Sequence, residues 1–180
     1  MKKIILGLFV CLFFGGFVQA QTYLKGNAAY MAFGIPNLSV ETRIADRWTF
    51  SSELVYSPWE SIQGNKFKFL QFNPDFRWYP SEAFKGFYTG AYMTLQDFKI
   101  TKWNYLNRNY YSSGWGYGFG ALLGFQTDIS DRWNLDVYLG GGWHHGEYQG
   151  YHNGVMTVDW NGSGEFLPYR LGIAFAYRLK

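Results

Sequence analysis

The last fifteen residues, 166–180, constrain the fold more than any other segment, because apolar and small or basic side chains alternate along them. One face carries Leu167, Tyr169, Leu171, Ile173, Phe175, Tyr177 and Leu179, and the other carries Arg170, Gly172, Ala174, Ala176 and Arg178. Successive side chains of a strand point to opposite faces, so this period predicts a β-strand with one apolar face. A terminal strand of this kind in an exported chain predicts the closing strand of a membrane barrel.

The first twenty residues have the composition of a secretory leader. Lys2 and Lys3 precede the apolar stretch Ile4–Phe14, and Val18–Ala20 forms a small-residue cleavage site. We therefore expect residues 1–20 to be a cleaved signal peptide and residues 21–180 to be one outer-membrane domain.

Two alternatives to cleavage remain open. Lipidation at Cys11, the only cysteine, would need a small residue before it, and Val10 is not small. An uncleaved membrane helix would be interrupted by Gly15 and Gly16. After cleavage no cysteine remains, so we expect no disulfide.

The composition excludes some classes of partner and favours a barrel. Loss of Lys2 and Lys3 lowers the formal net charge from +3 to +1, which leaves no basic stripe for nucleic acid. Charged residues make up 16% of the chain and aromatic residues 22%. Soluble domains have about 25% charged residues. After the leader, no apolar run approaches the roughly 20 residues of a spanning helix, whereas a barrel places its apolar residues at alternate positions.

Eight segments have the alternation of strands. They are Lys25–Phe33, Leu38–Ile44, Trp48–Tyr56, Lys66–Tyr79, Gly86–Phe98, Gly114–Thr127, Trp133–Trp143 and Phe166–Arg178. The predicted fold class is all-β, an eight-stranded antiparallel transmembrane β-barrel with short periplasmic turns and longer outer loops. The outer loops are predicted at residues 58–65, 99–113 and 144–165, and the first outer connection, residues 34–37, is short.

A local repeat supports this topology. Residues 44–48 (IADRW) resemble residues 129–133 (ISDRW), and both lie at predicted periplasmic turns. Trp48 and Trp133 begin strands there, and Trp78 and Tyr79 end another strand at the same level. Together they predict an aromatic girdle at one membrane boundary, although the alternative that this turn recurs by accident stays open.

The polar faces of the strands indicate which side is inside. They are rich in glycine, and their charges are mainly arginine with aspartate or glutamate. Small residues and paired charges suit the narrow interior of an eight-stranded barrel, so the apolar faces are predicted to contact lipid. The predicted polar network of the lumen consists of Glu41, Arg43, Glu53, Asp75, Arg77, Asp136 and Arg170. We interpret it as a plug, and a proton or ion path, or a gate, is the alternative.

Catalytic and metal sites are weakly indicated, and we assign no catalytic residue, metal or cofactor. A hydrolase could combine Ser163 with His152 and Asp159 or Glu165. A metal could bind His144, His145 and Glu147, but adjacent strand residues point in opposite directions. Aromatic and amide side chains in the outer loops predict contacts with a protein or sugar partner, and an upper aromatic belt is the alternative. The candidate loop-binding residues are Trp103, Tyr105, Tyr110, Tyr111, His144, His145 and His152.

Four motifs resemble a family of small outer-membrane barrels of unknown function from Gram-negative gut anaerobes, sometimes encoded near fimbrial or surface-assembly genes. They are Pro36–Glu41, Asn73–Tyr79, the strand with Gly118, Gly120 and Gly124, and Trp133–Asp136. The resemblance spans the mature chain. It implies an outer-membrane location and the eight-stranded fold, and it brings no catalytic residue.

These observations lead to one expected function and three alternatives. We expect a monomeric barrel in outer-membrane lipid that acts as a structural anchor or as a surface platform, with surface or fimbrial proteins as partners. The alternatives are a lipid-modifying enzyme of the outer leaflet, a narrow pore for protons or small solutes, and a soluble ligand-binding barrel.

Overall fold

The chain forms a closed barrel of eight antiparallel strands that follow one another in sequence order. The computed structural model describes residues 20–106 and 108–179, except for the side chains of Trp103 and Tyr169. Apart from Ala20, the predicted signal peptide lies outside the described residues. The predicted all-β, eight-stranded antiparallel barrel is confirmed.

The first two strands are the shortest and the last three are the longest. Their bounds are β1 Thr22–Asn27, β2 Asn37–Ala45, β3 Trp48–Ile62, β4 Asn65–Trp78, β5 Gly86–Ile100, β6 Tyr110–Asp128, β7 Trp133–His152 and β8 Val155–Arg178. A short helix, α1 (Ala28–Ala32), follows β1, and a 3₁₀ turn (Trp103–Tyr105) lies between β5 and β6. Within the described ranges, no helix has the length and apolar character needed to cross a membrane.

The two ends of the barrel differ. The terminus end holds the start of β1, the end of β8 and the connections at 46–47, 79–85 and 129–132. The hairpin end holds the connections at 28–36, 63–64, 101–109 and 153–154. These two names are used below.

The long outer loops predicted at 58–65 and 144–165 are wrong, because strands continue through both segments. Each hairpin closes in a two-residue turn, at Gln63 and Gly64 (φ 51° and 85°) and at Asn153 and Gly154 (φ 50° and 82°). Positive φ at both residues is the type I′ pattern, whose twist matches that of paired strands. Of the predicted outer loops, the one at 99–113 survives in part, as residues 101–109.

The first predicted strand, Lys25–Phe33, is also wrong beyond Asn27. The Asn27 side chain accepts a hydrogen bond from the backbone N–H of Ala29 at 3.0 Å and so caps α1. An N-terminal asparagine cap of this kind satisfies a backbone donor that the first helical turn leaves unpaired. The wall of the barrel is therefore shorter at β1 than at the later strands.

A bulge in β8 reverses the faces of its first half. Gly140 pairs with Arg170, but Gly142 pairs with Leu167, so β8 contains one extra residue at Pro168. Leu167 consequently faces the interior, which corrects its predicted place on the apolar outer face. Phe166 points outward instead.

The outer surface is apolar and the interior is polar. We call the outward-facing residues between two aromatic borders the outer belt; its members include Leu54, Phe72, Phe76, Leu95, Phe119, Leu123, Leu139, Leu171 and Ile173. Trp48, Trp78 and Trp133 border it toward the terminus end, and Tyr56, Trp115 and Trp143 border it toward the hairpin end. Between these borders the described outward positions carry no charge, and Asp97, which is paired in register with Trp115, lies at the hairpin-end border.

The connection between β4 and β5 closes the terminus end. Phe84 is 1% exposed, and its ring lies 4.6 Å from that of Tyr23 and 6.3 Å from that of Tyr79. A φ of 71° directs Phe84 into the barrel, although the left-handed region costs a bulky residue about 1–3 kcal/mol. The connection at residues 79–85 therefore also fills the terminus end of the barrel.

Candidate functional site

Buried charges fill the middle of the barrel and connect strands that are not neighbours. Arg77 Nη1 donates to Asp136 Oδ2 at 2.7 Å and to Glu41 Oε2 at 3.3 Å, and Arg77 Nε donates to Asp75 Oδ1 at 2.6 Å. Lys25 pairs with Asp136 at 2.7 Å and also with Glu41. These charges form a first group, in which each carboxylate (Glu41, Asp75 and Asp136) contacts at least one cation, as buried charges require.

A second group lies toward the hairpin end. Arg170 donates from Nη1 to Glu53 Oε2 at 2.8 Å and from Nη2 to Asp75 Oδ2 at 3.1 Å. Asp75 thus accepts hydrogen bonds from both Arg77 and Arg170 and joins the two groups into one network. Asn73 donates to Glu53 at 3.2 Å and accepts from Thr94 at 2.8 Å.

Tyrosine rings fill the space between the charges. The Arg77 guanidinium lies 4.9 Å from the ring centroid of Tyr88 and 5.6 Å from that of Tyr138. The strand glycines make this packing feasible, because a Cβ added at Gly124 or Gly172 would lie within 2.4 Å of the Tyr88 or Tyr138 ring. Glycine on the inner face therefore makes room for aromatic side chains from the adjacent strand.

The interior holds six of the seven residues predicted for the lumen. Glu41, Glu53, Asp75, Arg77, Asp136 and Arg170 are all buried. Arg43 is the exception, because its side chain is 30% exposed and pairs with Asp46 at the rim. Lys25, which the sequence-based prediction omitted, takes the place of Arg43 as the third buried cation.

The network leaves little free space. A residual cavity lined by residues such as Ser39, Tyr138 and Ala174 has a volume of about 10 Å³. That is close to the smallest volume that can hold one water molecule. The packed middle layer and the Phe84 plug both lie across the path that a pore would need.

A much larger cavity of about 730 Å³ opens at the hairpin end, above the charge network. Its volume is within the range of small-molecule sites. Apolar side chains from β3, β4, β5, the following loop and β8 line most of it: Ile62, Phe67, Phe98, Ile100, Leu106 and Leu167. Gln71 and Gln96, which hydrogen-bond each other at 3.3 Å, also line it.

One wall of this cavity carries polar groups from β7 and β8. His144 is paired in register with Glu165, and Gly146 is paired with Ser163. Lys102 binds Glu165 at 3.0 Å. The β8 bulge places Ser163 and Glu165 on the inner face, whereas Asp159 binds Gln149 on the exposed hairpin.

This arrangement differs from both predicted chemical sites. His152, predicted to act with Ser163, lies beside the hairpin turn and stacks on Tyr110 at 4.1 Å. The predicted metal ligands are also separated, because His144 faces the cavity while His145 faces outward beside Trp143, 5.6 Å between ring centroids. In the described part of the chain, no group of three His, Cys, Asp or Glu residues is arranged to hold a metal ion.

Four of the predicted binding residues lie together with Tyr151, which was not predicted, at the hairpin end. We define this aromatic tip as Tyr105, Tyr110, Tyr111, Tyr151 and His152. Tyr105 lies 5.4 Å from Tyr110, and Tyr111 stacks on Tyr151 at 4.9 Å. His144 and His145 lie elsewhere, and the side chain of Trp103 is outside the described residues.

Cations lie beside this tip and on the outer face beyond the belt. Lys99 and Lys66 are 5.2 Å and 6.0 Å from the Tyr111 ring centroid. Lys68 pairs with Glu60 on the same outer face. Their hydrogen bond and mutual attraction lower the pKa of the Glu60 carboxyl and raise the pKa of the Lys68 ammonium.

Comparison with known proteins identifies the family. No curated protein and no solved structure matches this chain. A family model described as a protein of unknown function (DUF3575) matches residues 4–179, which includes all eight strands. The predicted resemblance to a family of unknown function is confirmed to that extent. The chain belongs to the DUF3575 family.

Proposed function

We propose that the protein is an integral outer-membrane barrel that serves as an anchor or surface platform and presents its hairpin end outward. Its partners would be outer-membrane lipid around the belt and a surface or fimbrial protein at the aromatic tip. We propose that it acts as a monomer, because β1 pairs with β8 and so closes the sheet on itself.

The reversal of polarity between the inner and outer faces carries this proposal. Leu123 is 66% exposed and Leu139 58%, whereas Glu41 and Asp136 are completely buried. Soluble monomers rarely expose apolar patches larger than a few hundred Å². A hydrocarbon solvent accounts for the apolar exterior. Hydrogen bonds between the strands pair the backbone N–H and C=O groups, to which lipid tails cannot hydrogen-bond.

The height of the belt also supports a membrane. Ten residue steps separate Trp133 from Trp143 on β7. At about 3.3 Å per residue and a strand tilt of about 40°, this distance corresponds to about 25 Å along the barrel axis. Outer-membrane barrels have an apolar band of about this height between two aromatic girdles.

The aromatic tip supports a platform role. It presents stacked rings beside Lys66 and Lys99 at the end opposite the start of β1 and the end of β8. Tyrosine supplies a large contact area with little loss of conformational freedom, which makes it frequent in protein contact surfaces.

Cell fractionation and gel migration test the membrane proposal. We expect the protein in the outer-membrane fraction and faster migration of the unheated, folded barrel in detergent gels. Recovery as a freely soluble periplasmic protein would contradict the proposal.

Affinity capture from intact cells tests the platform. The wild-type protein should retain a partner that a Tyr110→Ala, Tyr111→Ala variant loses, while a Phe87→Ala variant, changed at an exposed site near the terminus end, should retain it. Capture that is independent of the tip would contradict the platform role.

A lipid-modifying enzyme is the second candidate, and the shared cavity wall of Ser163, His144 and Glu165 favours it. Those three side chains are the types that a serine hydrolase combines as nucleophile, base and orienting acid. Lipid mass spectra of cells that carry wild type, Ser163→Ala or no gene test this candidate. An enzyme predicts a lipid change that depends on Ser163, whereas identical spectra would count against it.

A further inference from the structure

We infer that the 730 Å³ cavity at the hairpin end binds one aliphatic chain of an amphiphile, with its polar head group against the β7–β8 wall. The inference rests on the proposed membrane location, since the membrane supplies such chains. A free fatty acid and one acyl chain of a lipid offer the same chemistry to this cavity.

The apolar lining of the cavity favours an aliphatic chain. Ile62, Phe67, Leu106 and Leu167 line the cavity while each remains at least 40% exposed. Covering apolar surface gains about 25 cal/mol per Å², so an aliphatic chain is favoured there over water. Elsewhere in the described interior, the charge network and the rings of the buried tyrosines and Phe84 fill the space, and the cavity beside Ser39 and Tyr138 holds only about 10 Å³.

The floor of the cavity consists of hydrogen-bonded polar side chains. Gln71 and Gln96 hydrogen-bond each other, and Thr94 donates to Asn73 one layer below. Arg170, bound to Glu53 and Asp75, lies in the layer beneath the cavity. The floor therefore closes the cavity toward the terminus end and limits the length of chain that can enter.

The polar side chains of the cavity match the head group of an amphiphile. His144, Ser163 and Glu165, which is paired with Lys102, line the cavity from β7 and β8, and Phe67 and Phe98 line it from β4 and β5. A few convergent polar groups in an otherwise apolar pocket typically orient a ligand. An amphiphile matches this division, because its chain contacts Phe67 and Phe98 while its head group reaches the β7–β8 wall.

The barrel wall is interrupted beyond β1 and β2, where α1 and residues 33–36 take the place of strands. The β1–β8 ladder ends at Asn27 and Ala174, although β8 extends back to Val155. On the other side, the β2–β3 ladder ends at Asn37 and Val55, while β3 extends to Ile62. Residues 28–36 cover this section, since α1 contacts β8 and the Trp59 indole donates a hydrogen bond to the Phe33 carbonyl at 3.1 Å. The cavity opens at the hairpin end, and its lining comes from β3, β4, β5, the β5–β6 loop, β7 and β8.

Direct binding tests the inference. The protein is refolded in a fluorinated surfactant, whose tails do not substitute for hydrocarbon, and titrated with radiolabelled palmitic acid or palmitoyl-lysophosphatidylglycerol. We expect saturable binding of one molecule of at least one probe. Binding of palmitic acid alone indicates a free fatty acid, and tighter binding of the lysolipid indicates a lipid chain. Absence of saturable binding of either probe would overturn the inference.

Two glycine substitutions on opposite faces of the β7–β8 hairpin provide a matched pair. A Cβ at Gly146 would make ordinary contact with Phe98 at 3.5 Å, so Gly146→Leu extends into the cavity. A Cβ at Gly162 would make similar contact with His145 on the outer face at 3.4 Å. We expect Gly146→Leu to weaken binding by about tenfold or more and Gly162→Leu to leave it unchanged. Equal binding by both variants would overturn the inference.

Photolabelling of the wild-type protein gives a second, independent measurement. Palmitic acid with a diazirine near the chain end should label peptides that contain Phe67, Phe98 or Leu167. Labelling confined to the outer belt would mean that chains bind only around the barrel and would overturn the inference. Flotation of the same protein with liposomes measures membrane insertion separately. A protein that inserts but binds no chain in the cavity contradicts this inference alone, whereas a protein that does not insert contradicts the proposed membrane location.

Discussion

Arg77 donates a hydrogen bond to Asp136 at 2.7 Å across the lumen, although their strands, β4 and β7, are separated by two others in the sheet. The bond therefore joins opposite walls of the barrel. Arg77 also binds Asp75 on its own strand and Glu41 on β2. One guanidinium thus fixes the spacing of three strands and fills the section that a pore would occupy.

We expect Arg77→Met to lower the free energy of unfolding by about 3–5 kcal/mol, because three carboxylates would lose a buried cation. Urea titration in vesicles or detergent, followed by tryptophan fluorescence, measures this change. Arg43→Met is the matched control and should change stability by less than about 0.5 kcal/mol, because Arg43 is partly exposed at the rim. Equal effects of the two substitutions would contradict the network described for Arg77.

The contrast between Arg43 and Arg77 shows how far alternation predicts the interior. Both residues have inward parity, but the β2–β3 register shifts between Arg43 and Ala45, close to the end of the strand. Alternation specifies a face and contains no information about depth. Lys25 was missed for a related reason, because a single lysine on a short strand resembles a surface residue until its partners on β2 and β7 are known.

The hairpin end differs more from the sequence-based prediction than the terminus end does, although one sequence signal there is informative. Asn153-Gly154 is a strong type I′ hairpin sequence, and it predicts continuous strands on both sides. The β8 bulge at Pro168 is harder to predict, because it depends on which residue of β7 faces Arg170. Without that register, neither Ser163 nor Glu165 could be assigned to the cavity.

Lys25→Met should make stability depend on pH. Among the described residues, three buried cations face four buried carboxylates, and the substitution leaves two cations. Protonating a carboxylate at lower pH removes part of the excess negative charge. We therefore expect the loss of unfolding free energy relative to wild type to be largest near neutral pH and to shrink as the pH falls toward 4.

Urea titrations at several pH values measure this dependence. Lys68→Met is the control, since Lys68 pairs with Glu60 in solvent beyond the belt and exposed pairs contribute little. A loss for Lys25→Met that is constant across the pH range would show that uncompensated carboxylates are not its cause.

Leu139→Arg tests the solvent around the belt. If lipid covers Leu139, the substitution should cost about 2–4 kcal/mol, because a cation near the middle of a bilayer is poorly solvated. Met156→Arg, beside the hairpin turn, should cost less than about 1 kcal/mol. Refolding yield and urea titration in lipid vesicles measure both. In a soluble barrel, Leu139 would be an ordinary exposed residue and the two substitutions would have similarly small effects.

Phe84→Ala tests the plug at the terminus end. Removing this buried ring from its contacts with Tyr23 and Tyr79 should lower the unfolding free energy by about 3 kcal/mol. Phe87→Ala, three residues later and 74% exposed, is the matched control and should have a smaller effect. Urea titration again supplies the measurement, and equal losses would mean that Phe84 does not stabilise the barrel by filling its end.

Planar-bilayer recordings test whether the filled lumen conducts ions. We expect no single-channel steps from the wild-type protein, because Phe84 closes one end and the Arg77 and Arg170 network fills the middle around a cavity of only about 10 Å³. A Phe84→Ala, Arg77→Ala variant removes a side chain from each obstruction, and the folded variant should show small conductance steps. Faster migration of the unheated variant in detergent gels shows that it has folded. Steps from wild type that change in Arg77→Ala would contradict the plug and establish the narrow pore instead.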